Sequence, residues 1–167
     1  MNGTTTGRLK AASILCGLLV MLPQIAVGVS TATITVKVAV VAPPPCVING
    51  DQPIEVDFGE VLTTRVDGYN YMREVPYSVQ CTGATSNDMV LQIQGMGAGF
   101  GINVLDTNKD NLGIALLNNG SPQRLNSDIK FTYPHLPVLK VVPIKSPNST
   151  LKAGAFSAGA TMKVGYQ

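Results

Sequence analysis

Hydrophobic residues in this chain fall mostly on every second position, in runs separated by Gly, Pro, Asn and Asp. The last run is the most regular. In GAFSAGATMKVGYQ, Gly154 to Gln167, the residues Phe156, Ala158, Ala160, Met162, Val164 and Tyr166 alternate with smaller or polar ones. An extended chain puts all six on one face, as in a strand with one side buried. A second alternating run, ATITVKVAVVA from Ala32 to Ala42, lies towards the other end. There Ile34, Val36, Val38 and Val40 share one face, and Thr35, Lys37 and Ala39 the other. Pro43, Pro44 and Pro45 stop this run, because proline lacks an amide donor and fixes φ. The N-terminal run is thus expected to stand apart from the body as an arm, while the C-terminal run has no later strand to pair with. One end reads as a strand donor and the other as a strand acceptor.

Between them the alternation continues. Cys46 to Ile48 reads as a strand, Asn49 to Pro53 as a break, and Ile54, Val56 and Phe58 as its resumption. Val61 to Tyr71 is polar and reads as a loop or short edge segment. Val75, Tyr77, Val79 and Cys81 alternate, as do Met89, Leu91 and Ile93, and later Ile129, Phe131 and Tyr133. Leu112 to Leu117 is apolar without alternation and ends at Asn118, Asn119 and Gly120, the pattern of a buried strand followed by a turn. Val138 to Ile144 is a further β-rich run. The glycine run GMGAGFG, residues 95–101, lacks the lysine and following helix of a phosphate-binding loop, and is expected to be a flexible inter-strand loop. No stretch beyond the first thirty or so residues has helical periodicity. The fold class is therefore all-β, a sandwich.

Composition changes the picture at the N-terminus. Arg8 and Lys10 precede an apolar stretch, Ala11 to Leu22, and Ala26 and Gly28 stand where a signal peptidase reads small residues. Residues 1–28 are expected to be a secretory signal, with cleavage after Ser30 as the alternative site. The apolar stretch is shorter than the roughly 20 residues a membrane-spanning helix needs. Twelve Lys and Arg face ten Asp and Glu, so losing Arg8 and Lys10 leaves the charges balanced. That removes the support for nucleic-acid binding, which needs a clustered basic surface. It also leaves two of the three cysteines, Cys46 and Cys81, in a chain addressed to an oxidising compartment, where a disulfide is the default reading.

Candidate chemistry is sparse. The one imidazole, His135, lies between Pro134 and Pro137 and has no partners for a hydrolytic triad. Asp106, Asp110 and Asp128 lack the spacing and terminal glutamate of a calcium loop. No enzyme activity, cofactor or metal is expected.

Taken in order, ITVKVAVVAPPPC, CVINGDQPIEVDFGEV, YSVQC, NLGIALL and a tail with Gly154 and penultimate Tyr166 resemble the pilins of the bacterial chaperone–usher pathway. The resemblance implies an immunoglobulin-like sandwich lacking its last strand, over residues 46–167, with a donor extension at 29–45. It implies that Ile34, Val36, Val38 and Val40 are donor residues, and that Gly154, Phe156, Ala158, Ala160, Met162, Val164 and Tyr166 form the acceptor groove and chaperone-binding strand. The implied partners are a periplasmic chaperone, an outer-membrane usher, and neighbouring subunits or a tip adhesin, with passage through the periplasm to a surface fimbrium. Many such donor strands carry glycine where Val38 aligns, so the register leaves Val38 and Ala39 as alternatives for that position. The chain has no room for an adhesin's receptor domain. Its proline-rich junction and VDFG resemble minor tip adaptors, with the rod subunit, or a free-standing sandwich that binds a host ligand, as alternatives.

Overall fold

The computed structural model describes residues 45–84 and 86–167; the expected signal and the donor residues Ile34, Val36, Val38 and Val40 lie outside the described residues. The strands are β1 (Cys46–Ile48), β2 (Arg73–Glu74), β3 (Val79–Cys81), β4 (Asp88–Gln94), β5 (Val104–Asp106), β6 (Leu112–Asn118), β7 (Ser121–Pro122), β8 (Asp128–Thr132), β9 (Leu139–Lys145) and β10 (Thr161–Tyr166). All pairings are antiparallel. One sheet runs β10-β4-β8, a second runs β2-β9-β6-β5 with β7 appended to β6, and β1 pairs with β3.

Alternation explains how the sheets meet. On β4, Met89, Leu91 and Ile93 point inward, and they stand opposite Phe131 and Ile129 of β8 on one side and Tyr166, Val164 and Met162 of β10 on the other. These side chains close on Leu105, Ile114, Leu116, Leu139 and Val141 of the other sheet, forming one continuous core. Met89, Leu91 and Leu139 are completely buried, each contributing about 1.5–3 kcal/mol relative to exposure.

Strand β6 does not alternate because it is covered on both faces. Leu112, Ile114 and Leu116 are buried, yet so are Gly113 and Ala115. Ala115 belongs to a second cluster with Ala98, Val104 and Val142, against which Phe100 packs. A Cβ at Gly113 would collide with Val104 and the Leu105 carbonyl, so the close approach of β5 requires glycine there. The cover is the glycine run itself. It is not the flexible loop expected from its composition: Asp106 N–H donates to the Met96 carbonyl at 2.9 Å and Ala98 N–H to the Val104 carbonyl at 2.8 Å, making a hairpin with β5. A strand as short as Val104–Asp106 leaves little trace in hydrophobic periodicity.

Two prolines divide or tolerate strands for identifiable reasons. The alternating run from Val75 to Cys81 is divided between two partners: Val75 N–H bonds the Leu139 carbonyl, whereas the Ser78 carbonyl accepts from Asn49 N–H on the β1 side, with Pro76 between them. Pro143 sits inside β9, fully buried. Since the Leu139 carbonyl faces Val75, alternation turns the main chain of residue 143 the same way, past the end of β2, whose ladder stops at Arg73↔Val141. No ladder bond to β6 is lost there.

Candidate functional site

Cys46 stands directly opposite Cys81 in the β1–β3 ladder, and the two are bonded, with their Cα atoms 4.2 Å apart. Met89 Sδ lies 3.8 Å from Cys81 Sγ, and the Tyr166 hydroxyl donates to Cys46 Sγ at 3.7 Å. The disulfide therefore joins the first strand to the core at the end of β10. Beyond this point the first and last segments diverge.

Residues 52–58 leave β1 as an extended segment with no ladder. Ile54, Val56 and Phe58 are half-buried and Glu55 and Asp57 exposed, so the alternation expected for a strand is present while its partner is not. At the other side, the ladder between β10 and β4 covers only Thr161 to Tyr166. Residues 155–160, expected to belong to the same strand, make no ladder because β4 ends at Gln94. They are held differently. Ser157 N–H donates to Asn108 Oδ1 at 2.8 Å, Asn108 N–H donates to the Ser157 carbonyl at 3.1 Å, and Lys109 Nζ donates to the Ala153 carbonyl at 2.9 Å.

These bonds fix which edge is unpaired. Ser157 turns its main-chain groups towards Asn108, and Gln167 N–H donates to the Asp88 carbonyl of β4 at 3.1 Å. In an extended chain successive residues direct these groups to opposite edges. The N–H and C=O groups of Phe156, Ala158, Ala160, Met162 and Val164 consequently face the outer edge, and among the described residues no strand pairs there. The residues whose side chains line one face are the same ones whose backbone is open to a new strand.

Between the two extended walls lies a cleft of about 830 Å³. Its walls include Ile54, Val56 and Phe58 on one side and Phe156, Ala158, Ala160 and Met162 on the other. Its floor is lined by core residues of both sheets: Ile93, Leu105, Ile114, Leu116, Leu139 and Val141. Its carboxylates, Asp51, Glu55 and Asp57, are not balanced by any Lys, Arg or His in the lining. A second cavity of about 680 Å³ continues the trough past Phe58 and Phe156, lined by Lys109, Lys152 and Gly154 among others. The rings of Phe58 and Phe156 lie 6.0 Å apart at the junction.

The predicted acceptor residues are placed as follows. Phe156, Met162, Val164 and Tyr166 pack against the core, whereas Ala158 and Ala160 are exposed along the cleft wall. Gly154 lies outside this cleft, in the second cavity, with φ +131°, where an added Cβ would meet Lys109 Nζ. Sequence reasoning missed Asn108 and Lys109, whose run was weighed only as a metal loop. Their signal, an asparagine side chain able to stand in for a strand's main chain, needs the fold to be seen. Among the described residues no group of His, Cys, Asp or Glu is arranged to hold a metal. His135 is an exposed loop residue.

The sandwich is thus open along one edge, with core residues lining the gap. The comparisons agree. The model of the fimbrial protein family matches residues 32–167, and the chain belongs to that family as a pilin of the chaperone–usher class. It is 37% identical over 145 residues to the fimbrial-like protein YfcR of Escherichia coli K12, covering 84% of each chain. Among solved structures it is similar to the P pilus adaptor subunit PapF, with 29% identity, a TM-score of 0.56, and coverage of 75% of this chain and 98% of that one. The P pilus rod subunit PapA shares the fold, with a TM-score of 0.55, 19% identity, and coverage of 81% of this chain and 100% of that one. The chain is thus a structural subunit of an extracellular pilus, and its partners are other pilin subunits.

Proposed function

We propose that the cleft between residues 52–58 and 156–166 is a strand-acceptor groove, filled first by a strand of a periplasmic chaperone and then, at an outer-membrane usher, by the arm of a neighbouring subunit. The carrying observation is the coincidence of an unpaired strand edge with a cleft floored by core side chains along the same segment, Phe156 to Met162. Both features are liabilities for a protein that stays alone, and both are removed by adding one alternating strand. The arm, residues 29–45 with Ile34, Val36, Val38 and Val40 inward, makes the same repair in the next subunit. The position in the fibre is that of a minor adaptor near the tip: identity to the adaptor PapF exceeds identity to the rod subunit PapA, 29% against 19%. The role is structural, without catalysis.

The test uses the full chain co-expressed with a periplasmic pilus chaperone. Ala158→Asp places a charge on the groove face, and Ser157→Asp places one on the opposite face. Ala158→Asp is expected to abolish the one-to-one complex, because an unpaired charge buried at a strand-addition interface is costly. Ser157→Asp should leave the complex intact. Deleting residues 31–42 should preserve chaperone binding and block incorporation into fibres. A stable wild-type monomer that neither needs nor binds the chaperone would sink the proposal.

A further inference from the structure

The groove has a charge pattern that its apolar walls do not require. Glu55 and Asp57 are exposed on alternate positions of the first wall, interleaved with the inward Ile54, Val56 and Phe58. Facing them across the cleft are Ser157 and Thr161, both exposed and both uncharged. Further along, beyond the Phe58 and Phe156 rings, the excess of negative charge ends: Lys109 and Lys152 line the second cavity together with Asp57 and Glu60. A strand laid into the groove would bring its outward side chains beside these rim residues, at the ~5 Å spacing of cross-strand neighbours.

We infer that this rim selects the occupant, on the strand-acceptor reading given above: the fitting partner is the N-terminal strand of a neighbouring pilin that carries a cation on its outward face, seated over Glu55 and Asp57. The reason a rim is needed lies in the geometry of strands. A slip of two residues keeps every apolar side chain inward, so alternation alone does not distinguish neighbouring registers. A lysine does. Over Glu55 and Asp57 it meets two carboxylates with no cation in the cleft lining, whereas a slip towards the far cavity brings it among Lys109 and Lys152, which offset Glu60 and Asp57 there. Like charges at such an interface oppose docking, and complementary ones chiefly raise the rate of encounter. The arm of this chain has the required chemistry: Lys37 lies among its outward residues, and no Asp or Glu occurs between Thr31 and Pro45.

The arm therefore serves as a probe. The full chain, held by its chaperone, is mixed with fluorescent peptides spanning residues 31–45, either native or Lys37→Glu, at low and high ionic strength, and uptake is followed on native gels. The native peptide should enter about tenfold faster than Lys37→Glu at low salt, with the gap closing at high salt. In a Glu55→Lys, Asp57→Lys variant the order of the two peptides should reverse, a readout that a merely weakened fold would not give. Equal rates for both peptides, or an order unchanged by the charge swap, would overturn the rim's role and leave the strand-acceptor reading standing. If neither peptide enters at either ionic strength, the rim's role as inferred from this arm fails, while the strand-acceptor reading stands or falls with the Ala158→Asp chaperone complex.

Discussion

The ring of Phe58 rests against that of Phe156, with centroids 6.0 Å apart and planes inclined by 33°, and at this point the two open walls of the groove touch. An aromatic pair of this kind contributes ~0.5–1.5 kcal/mol beyond the area it buries. Phe58→Ala is expected to join the two cavities and let a donor peptide enter faster. It should also lower the urea stability of the strand-filled subunit by about 1–3 kcal/mol, since a half-buried ring is lost. Stopped-flow peptide uptake and equilibrium unfolding measure the two effects separately. Slower uptake would show that the ring pair guides the strand.

Asn108 acts on the same wall from the other side. Asn108→Ala removes the acceptor for Ser157 N–H, and the expected loss is about 1 kcal/mol, the net worth of an ordinary hydrogen bond. Hydrogen exchange should quicken at Ser157 and stay unchanged at Lys163, whose main chain faces β4 in register opposite Gln92. Unchanged protection at Ser157 would mean that its extended conformation does not depend on Asn108.

Replacing Cys46 and Cys81 together by serine is expected to cost on the order of 2–5 kcal/mol, the usual effect of deleting a native disulfide from a small domain. Folded yield from the periplasm should fall sharply. Mass spectrometry of the wild-type protein should find no alkylatable thiol at either residue.

Alkaline stability should carry the mark of Tyr77. Its hydroxyl donates to the Pro137 carbonyl at 2.6 Å, and burial raises its pKa to about 12 from the ordinary 10.0. The folded state therefore holds this proton at a pH where the unfolded chain has released it. Its contribution is complete below pH 10 and is lost as pH rises towards 12. In Tyr77→Phe, the unfolding midpoint should be lower than wild type at neutral pH and fall less between pH 10 and 12. Parallel pH profiles for the two proteins would contradict this assignment.

Much of the fold could be read from alternation because most strands bury one face. Met89, Leu91 and Ile93 gave β4, and Ile129 and Phe131 gave β8. Reading failed where a strand covered on both sides was also short, or where a segment was held without a ladder. Val104 and Leu105 are buried in different clusters, on opposite faces of β5, so no period of two is visible. Ile54 to Phe58 showed a strand's pattern for a strand that has no ladder within the described residues. Pattern records which face is apolar and not whether a neighbour is present. The groove's inner side chains were legible for that reason, and its braces were not. Asn108, Asn119 and Asn126 each pair their side chains with a distant main chain, at Ser157, Val138 and Gly95. Such contacts depend on residues that only folding brings close.

The bond between Cys46 and Cys81 sits at the first pair of a ladder only three residues long. Any pull transmitted along the chain through Pro45 reaches the body there. Without the covalent link, such a load would part β1 from β3 one pair at a time, beginning at Cys46. With it, the leading pair does not separate, and the force passes through sulfur into β3, with the Tyr166 hydroxyl and Met89 Sδ alongside. A thread of such subunits would transmit tension from one body to the next through a covalent anchor, leaving the hydrogen bonds of β1 sheltered behind it.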